Sequence, residues 1–312
     1  MATKKGVWNL QQVRDKQLQS LWTYSGAPGV FVMGENSYGQ LGLNDKVQRS
    51  SPIQMGTDTD WDGDNIRFLG NHSLLRKTDS TLWTMGSAGW GKLGLNAESL
   101  DVSSPTQIPG TNWSSVASLD AGTISAAIKT DGTLWVWGRS QSKNWLGQNQ
   151  SGNVFLSSPV QIPGTTWKTF KGGGYGDRAF GLKTDGTLWG WGSNGEGELG
   201  QNSTVNYSSP VQIPGTTWDK MHSSVYGTVA IKTDGTLWGW GRNPSGQLGQ
   251  NSKVKYSSPV QIPGTNWSSI TMGEATTAAT KTDGTLWIWG CLLYTSDAAD
   301  EGLGVDLGGR RI

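Results

Sequence analysis

Apolar and polar positions alternate in short bursts along this chain, and the bursts come in pairs separated by Asp-Gly. The sharpest instance is AAIKTDGTLWVWG at residues 126–138. Its first run is aliphatic and its second aromatic and β-branched. The Asp-Gly between them tolerates the positive φ of a type I′ turn, so the segment predicts a β-hairpin. Period-two counting places Trp135 and Trp137 on one face of the second strand and Leu134 and Val136 on the other. Both faces carry apolar load, which predicts an interior strand. In two later copies Gly190 and Gly239 stand between the tryptophans, predicting a close approach there, as at a narrowing axis.

The hairpin recurs. Trp83, Trp135, Trp189, Trp238 and Trp287 mark the register at spacings of 52, 54, 49 and 49 residues, and a sixth copy has Phe31 in that place. A period of about fifty residues means that each unit is one supersecondary element which stacks on its neighbours to bury its apolar faces. After each hairpin comes a Gly-rich loop, as at 193–202 and 242–251, whose single Leu199 or Leu248 fills the space beneath. SSPVQIP then predicts a short third strand, and Trp167, Trp218 or Trp267 opens a fourth after a Gly-Thr turn. Four short antiparallel strands per unit, repeated radially, predict an all-β propeller.

Two segments fall outside the repeats at 29–290. The leader, 1–28, spaces Val7, Leu10, Val13 and Leu18 as in a short amphipathic helix and reads as an attachment piece or a cap. Residues 291–312 contain no repeat element and look like translated sequencing-adapter read-through, so they are expected to be non-native.

Composition narrows the functional classes. The 46 Gly and 18 Trp fit a turn-rich, aromatic-packed fold. With 25 Lys and Arg against 24 Asp and Glu, there is no net basic field to hold nucleic acid or an anionic membrane. Cys291 has no intramolecular partner, which excludes a disulfide framework and a cysteine zinc site. The N-terminus lacks the apolar run of a signal peptide, and no stretch reaches the roughly eighteen apolar residues of a membrane span. A virion or cytoplasmic location is expected.

The Asp-Gly-Thr-Leu-Trp hairpins, the Trp-Gly followed by Asn, and the Gly-Gln-Leu-Gly loops at 39–42 and 246–249 resemble the regulator of chromosome condensation (RCC1) repeat family. That resemblance covers about residues 29–290. It implies a propeller of four-stranded antiparallel blades, here with six repeat hairpins forming an incomplete seven-bladed ring. Met85 replaces the second tryptophan, Ser80 the turn glycine, and NWLG at 144–147 the usual loop. Loops that diverge among repeats are where a binding face is expected.

No catalytic constellation is visible. His72 and His222 are the only histidines, and they lack triad or zincin context. GEGELG at 195–200 satisfies GxGxxG, but no helix follows to receive a phosphate, so a turn is expected. The Lys-Thr-Asp copies pair each lysine with its own aspartate two residues on and read as solvated turns. Asp58, Asp60, Asp62 and Asp64 alternate as in a calcium loop but lack the bidentate Glu, so a solvated interblade loop is expected, one that departs from the repeat and is a candidate to face a partner. Most tryptophans read as core. Trp90 and Trp145, in the Gly-rich loops, are the two expected to face a partner. The sequence thus predicts a non-enzymatic binding propeller without cofactor or metal, whose partner is a protein or a surface glycan. A phage virion or tail-fibre component assembled through the leader is one form of it; the others are a guanine-nucleotide exchange regulator, as the resemblance implies, and an adhesin or lectin-like propeller.

Overall fold

The computed structural model describes residues 29–118, 123–140, 145–150, 152–173 and 177–291. They form a β-propeller. Blade I contributes β1 (Phe31–Gly34) and β2 (Arg49–Gln54). Blade II is β3 (Trp61–Phe68), β4 (His72–Lys77), β5 (Leu82–Gly86) and β6 (Val102–Gln107). Blade III is β7 (Trp113–Ser118), β8 (Ile124–Lys129), β9 (Leu134–Ser140) and β10 (Val154–Gln161). Blade IV runs through β11 (Trp167–Gly173), β12 (Arg178–Lys183), β13 (Leu188–Gly192) and β14 (Tyr207–Gln212). Blade V is β15 (Trp218–Ser223), β16 (Gly227–Lys232), β17 (Leu237–Gly241) and β18 (Tyr256–Ile262). Blade VI holds β19 (Trp267–Met272), β20 (Thr276–Lys281) and β21 (Leu286–Gly290). All pairings are antiparallel, so the described residues supply four complete blades and parts of two more.

The structure corrects the phase of the repeat. The Trp-led strand does not close the unit that precedes it; it opens the next sheet, Trp113 pairing with Lys129 and Trp167 with Lys183. These first strands pack side by side, β3 on β7, β7 on β11, β11 on β15 and β15 on β19, and therefore line the axis. Gly190 and Gly239 lie away from that axis. A Cβ on Gly190 would meet Leu199 Cδ2 at 3.1 Å and Phe180 Cε1 at 3.2 Å, so the close approach is real but is made by core side chains. Among the described residues five of the six expected hairpins are seen, and the Phe31 strand pairs only with β2. The leader and residues 292–312 lie outside the described residues.

The hairpin turn also differs from expectation. Gly132 N–H donates to Lys129 O at 2.9 Å and Lys129 N–H to Thr133 O at 2.9 Å, while only Gly132 has positive φ, 77°. That is a type I turn closed by a glycine bulge, which needs one left-handed residue rather than the two of a type I′ turn. Ser80 adopts φ 68° in the same place in blade II.

The core lies between blades. Leu74, Leu82 and Ile108 of blade II pack with Trp113, Ala127 and Trp137 of blade III, and the blade III–IV and IV–V junctions repeat the scheme. Each second tryptophan donates its indole N–H to the Gly-rich loop of the blade before: Trp137 to Lys92 O, Trp191 to Trp145 O and Trp240 to Glu198 O, at 2.8–2.9 Å. A buried indole is thereby satisfied across the junction, and the blades are held in register.

Candidate binding surfaces

The two ends of the propeller differ in what their connections carry. On one, the turn face, the Lys-Thr-Asp-Gly turns join second strands to third. On the other, the loop face, the Gly-rich loops join third strands to fourth.

Trp90 lies on the loop face, in the loop of blade II. It is 42% exposed and has φ 66°, an unusual conformation for a bulky residue. The turn seats on blade III: a Cβ on Gly91 would come within 2.6 Å of Ser157 Cα, so only glycine permits this approach. Trp90 thereby meets Arg139, whose guanidinium carbon stands 4.6 Å from the indole centroid and 5.7 Å from that of Phe155, itself 43% exposed. Arg139 Nε is buried without a hydrogen-bond partner. Trp90, Arg139 and Phe155 form an exposed stack of two aromatic rings about one cation, the residue types that dominate interface hot spots. Arg139 and Phe155 are adjacent only because they pair across β9 and β10.

Trp145 is a correction. It is 3% exposed, lies within the blade III–IV core, and its carbonyl receives the Trp191 indole. Its place in a loop suggested exposure, but these loops fold inward to cover the next blade.

Three of the four acids also find ordinary partners. Lys77 Nζ reaches Asp58 at 2.7 Å and Asp60 at 3.1 Å, Asp62 pairs with Arg76, and Asp64 remains exposed. These pairs put the run to structural use, and Asp62 and Asp64 belong to β3 rather than to a loop. Hydrogen bonds from Asn65 and the Asp64 N–H, with the nearby Arg76 charge, hold the Asp62 carboxyl below its ordinary range despite its desolvation.

At the loop-face end of the axis lies a cavity of about 230 Å³ to which Arg67, Lys171 and His222 contribute from three different blades. Arg67 donates to the Asp64 and Ile66 carbonyls and Lys171 to Met221 O. Sequence inspection missed this mouth because its members share one register position of the first strands, which each blade fills with a different residue type. His72 is buried elsewhere, Nε2 lying 2.8 Å from Ser125 Oγ, and desolvation with the Lys92 charge pushes its pKa down to about 3. GEGELG is a blade junction: Gly197 abuts Ser257, and Glu198 pairs with the buried Arg178 at 3.0 Å.

Stacked antiparallel blades with a divergent aromatic-cationic patch define a propeller of the binding-scaffold type. Residues 29–61, 185–231 and 234–280 match the regulator of chromosome condensation (RCC1) repeat, and the fold is an RCC1-like β-propeller. It is 26% identical over 196 residues to the mitochondrial RCC1 domain-containing protein RUG3 of Arabidopsis thaliana, a match covering 59% of this chain and 42% of the relative. It is 29% identical over 138 residues to the Xenopus laevis regulator of chromosome condensation, covering 43% and 31%. The chain thus spans less than half the length of these curated relatives. The fold is similar to that of yeast RCC1 (Prp20) in its structure bound to Kap60, with TM-score 0.66 and 20% identity over 94% of this chain and 73% of the other. Among the described residues no helix is long and apolar enough to cross a membrane.

Proposed function

We propose that the chain is a non-enzymatic binding propeller whose loop face engages a protein partner through Trp90, Arg139 and Phe155. The observation that carries this reading is the stack itself. It brings two exposed aromatic rings and a guanidinium with an unpartnered Nε together at one junction, in an array whose other loops carry Tyr38, Lys143, Glu196 or Ser245 where Trp90 stands. The test is recovery of a partner from the source proteome by the chain and by a Trp90→Ala, Arg139→Ala variant of unchanged circular dichroism. Loss of capture supports the patch; undiminished capture removes it.

A second reading, guanine-nucleotide exchange on a small GTPase, is favoured by the similarity to the Xenopus regulator of chromosome condensation. Faster nucleotide release on mixing with a GTPase would support it, and an unchanged rate would count against it. The virion or tail-fibre reading rests on residues 1–28, outside the described residues. Detection of the chain in purified particles is its test.

A further inference from the structure

In every blade with a first strand, one lysine ammonium sits between two indoles on the turn face. Lys129 Nζ stands 4.9 Å from the Trp113 centroid and 4.4 Å from that of Trp135. Lys183 lies 4.8 and 4.6 Å from Trp167 and Trp189, and Lys232 4.8 and 4.5 Å from Trp218 and Trp238. Such contacts hold the cation in place without neutralising it.

The turn aspartates do not neutralise it by direct contact. Asp131 Oδ1 accepts the Thr133 N–H at 2.9 Å and hydroxyl at 2.7 Å, and Thr133 Oγ1 in turn accepts the Trp135 indole N–H. Asp185 and Asp234 do the same. Among the described residues, Lys129, Lys183 and Lys232 have no carboxylate within ion-pair distance. Each is partly exposed beside the glycine of the preceding turn, whose added Cβ would lie 3.8, 3.1 and 3.4 Å from the three ammoniums at Gly110, Gly164 and Gly215.

Blade II has the same lysine between the same indoles, Lys77 at 4.9 Å from both Trp61 and Trp83. There the preceding turn is longer by Asp58 and Thr59, and both Asp58 and Asp60 bond the ammonium. One copy of the socket is therefore filled by the chain's own carboxylates, and four are open, the fourth being Lys281 of blade VI at 4.8 and 5.0 Å from Trp267 and Trp287.

We propose that Lys129, Lys183 and Lys232, each framed by two indoles, are carboxylate sockets, and that the turn face binds an acidic segment of a partner protein that sets Asp or Glu side chains into them. Asp58 and Asp60 occupy the equivalent socket in blade II and stand in for that segment. A partly exposed ion pair changes affinity by about two- to fivefold, so a single carboxylate binds weakly and a chain bridging several sockets gains from its multivalency. This surface is opposite the Trp90 patch and does not depend on it.

The experiment uses an oligoglutamate of about twelve residues, roughly 40 Å when extended, with oligoglutamine of equal length as control. Binding to the full chain is followed by titration calorimetry and by the indole N–H resonances. Oligoglutamate should bind and oligoglutamine should not. Lys183→Gln with Lys232→Gln should weaken binding about tenfold. Asp58→Asn with Asp60→Asn should uncover Lys77 and strengthen it about two- to fivefold; these are surface changes, so this variant decides the matter if the lysine variant fails to fold. Equal binding of the two peptides, or binding indifferent to the lysine change in a folded variant, overturns the proposal. So does binding indifferent to the aspartate change.

Discussion

His72 makes the stability of the blade II–III junction depend on pH in a calculable way. Its ring is wholly buried, bonded through Nε2 to Ser125 Oγ, which donates in turn to Lys92 O at 2.8 Å. Desolvation, then the Lys92 charge, lowers its pKa from 6.5 to about 3. Between those values the unfolded chain carries a proton on this residue that the folded chain does not. Stability is therefore fully present above pH 6.5 and is lost as pH falls toward 3. At about 1.4 kcal/mol per pH unit, the loss is about 3 kcal/mol by pH 4.5 and about 5 kcal/mol over the whole window. Blades need not unfold together, so the assay is amide exchange of β4 and β8, together with urea unfolding, at pH 7 and 4.5. The comparison is with His72→Gln, which retains a hydrogen-bonding side chain and does not titrate. Carboxylate effects are common to both proteins and cancel in the difference. Equal losses in the two proteins would refute the assignment of the pH dependence to His72.

Three further outcomes follow from junction geometry. Trp145→Ala empties a core site and should cost about 3–5 kcal/mol in denaturant unfolding, whereas Trp90→Ala should stay within about 0.5 kcal/mol of the parent; a reversed order would contradict the burial described above. Gly197→Ala meets Ser257 Cα at 2.6 Å and should lose about 3 kcal/mol, while Gly246→Ala, with no atom closer than 3.8 Å, should lose about 1 kcal/mol from its positive φ alone. Equal losses would mean that the two loops face like surroundings. Among the described residues no strand pairs with the outer edge of β21, and a cavity of about 590 Å³ bordered by Gly246, Asn251 and Trp289 lies there. At the four earlier junctions an extended strand stands in that place, receiving the loop Asn N–H at Ser103, Ser157, Ser208 or Ser257 O at 2.7–2.8 Å. A peptide of sequence YSSPVQI should therefore raise the thermal midpoint, and one with the proline and serines scrambled should not.

Within one repeat the sequence was nearly transparent. The Lys-Thr-Asp-Gly-Thr-Leu-Trp segment encodes a turn, a side-chain relay and an interior strand through contacts no more than a few residues apart, and period-two counting reads such contacts directly. Its failures came where the contact partner belongs to another blade. The Trp-led strand was joined to the wrong sheet because antiparallel neighbours in sequence are ambiguous in both directions, and only the observed pairing of Trp113 with Lys129 settles the phase. Trp145 was taken as exposed since nothing local reveals that Trp191 lies beneath its carbonyl. Trp90 was found by its departure from the repeat, but Arg139 and Phe155 were not, because each is unremarkable in its own segment.

The same limit governs the lysines. Counting charges along the chain pairs Lys129 with Asp131, two residues away, and concludes that the turn is neutral and bland. Across a strand pair, however, directly opposite residues share a face: Lys129 pairs with Trp113, and its ammonium lies against the Trp113 and Trp135 rings rather than a carboxylate. Asp131 is meanwhile held in its ionised form chiefly by the Thr133 hydroxyl and N–H, with the Lys129 charge a smaller contribution. The blade thus separates a cation from its apparent counterion by giving each a better local partner. Blade II shows the arrangement with carboxylates in place, supplied by a turn that the other repeats lack. Near-identical repeats are usually dismissed as scaffold, yet here the scaffold itself leaves the same ammonium without a contacting carboxylate in four successive blades, so a partner with suitably spaced acids would read the repeat rather than its exceptions.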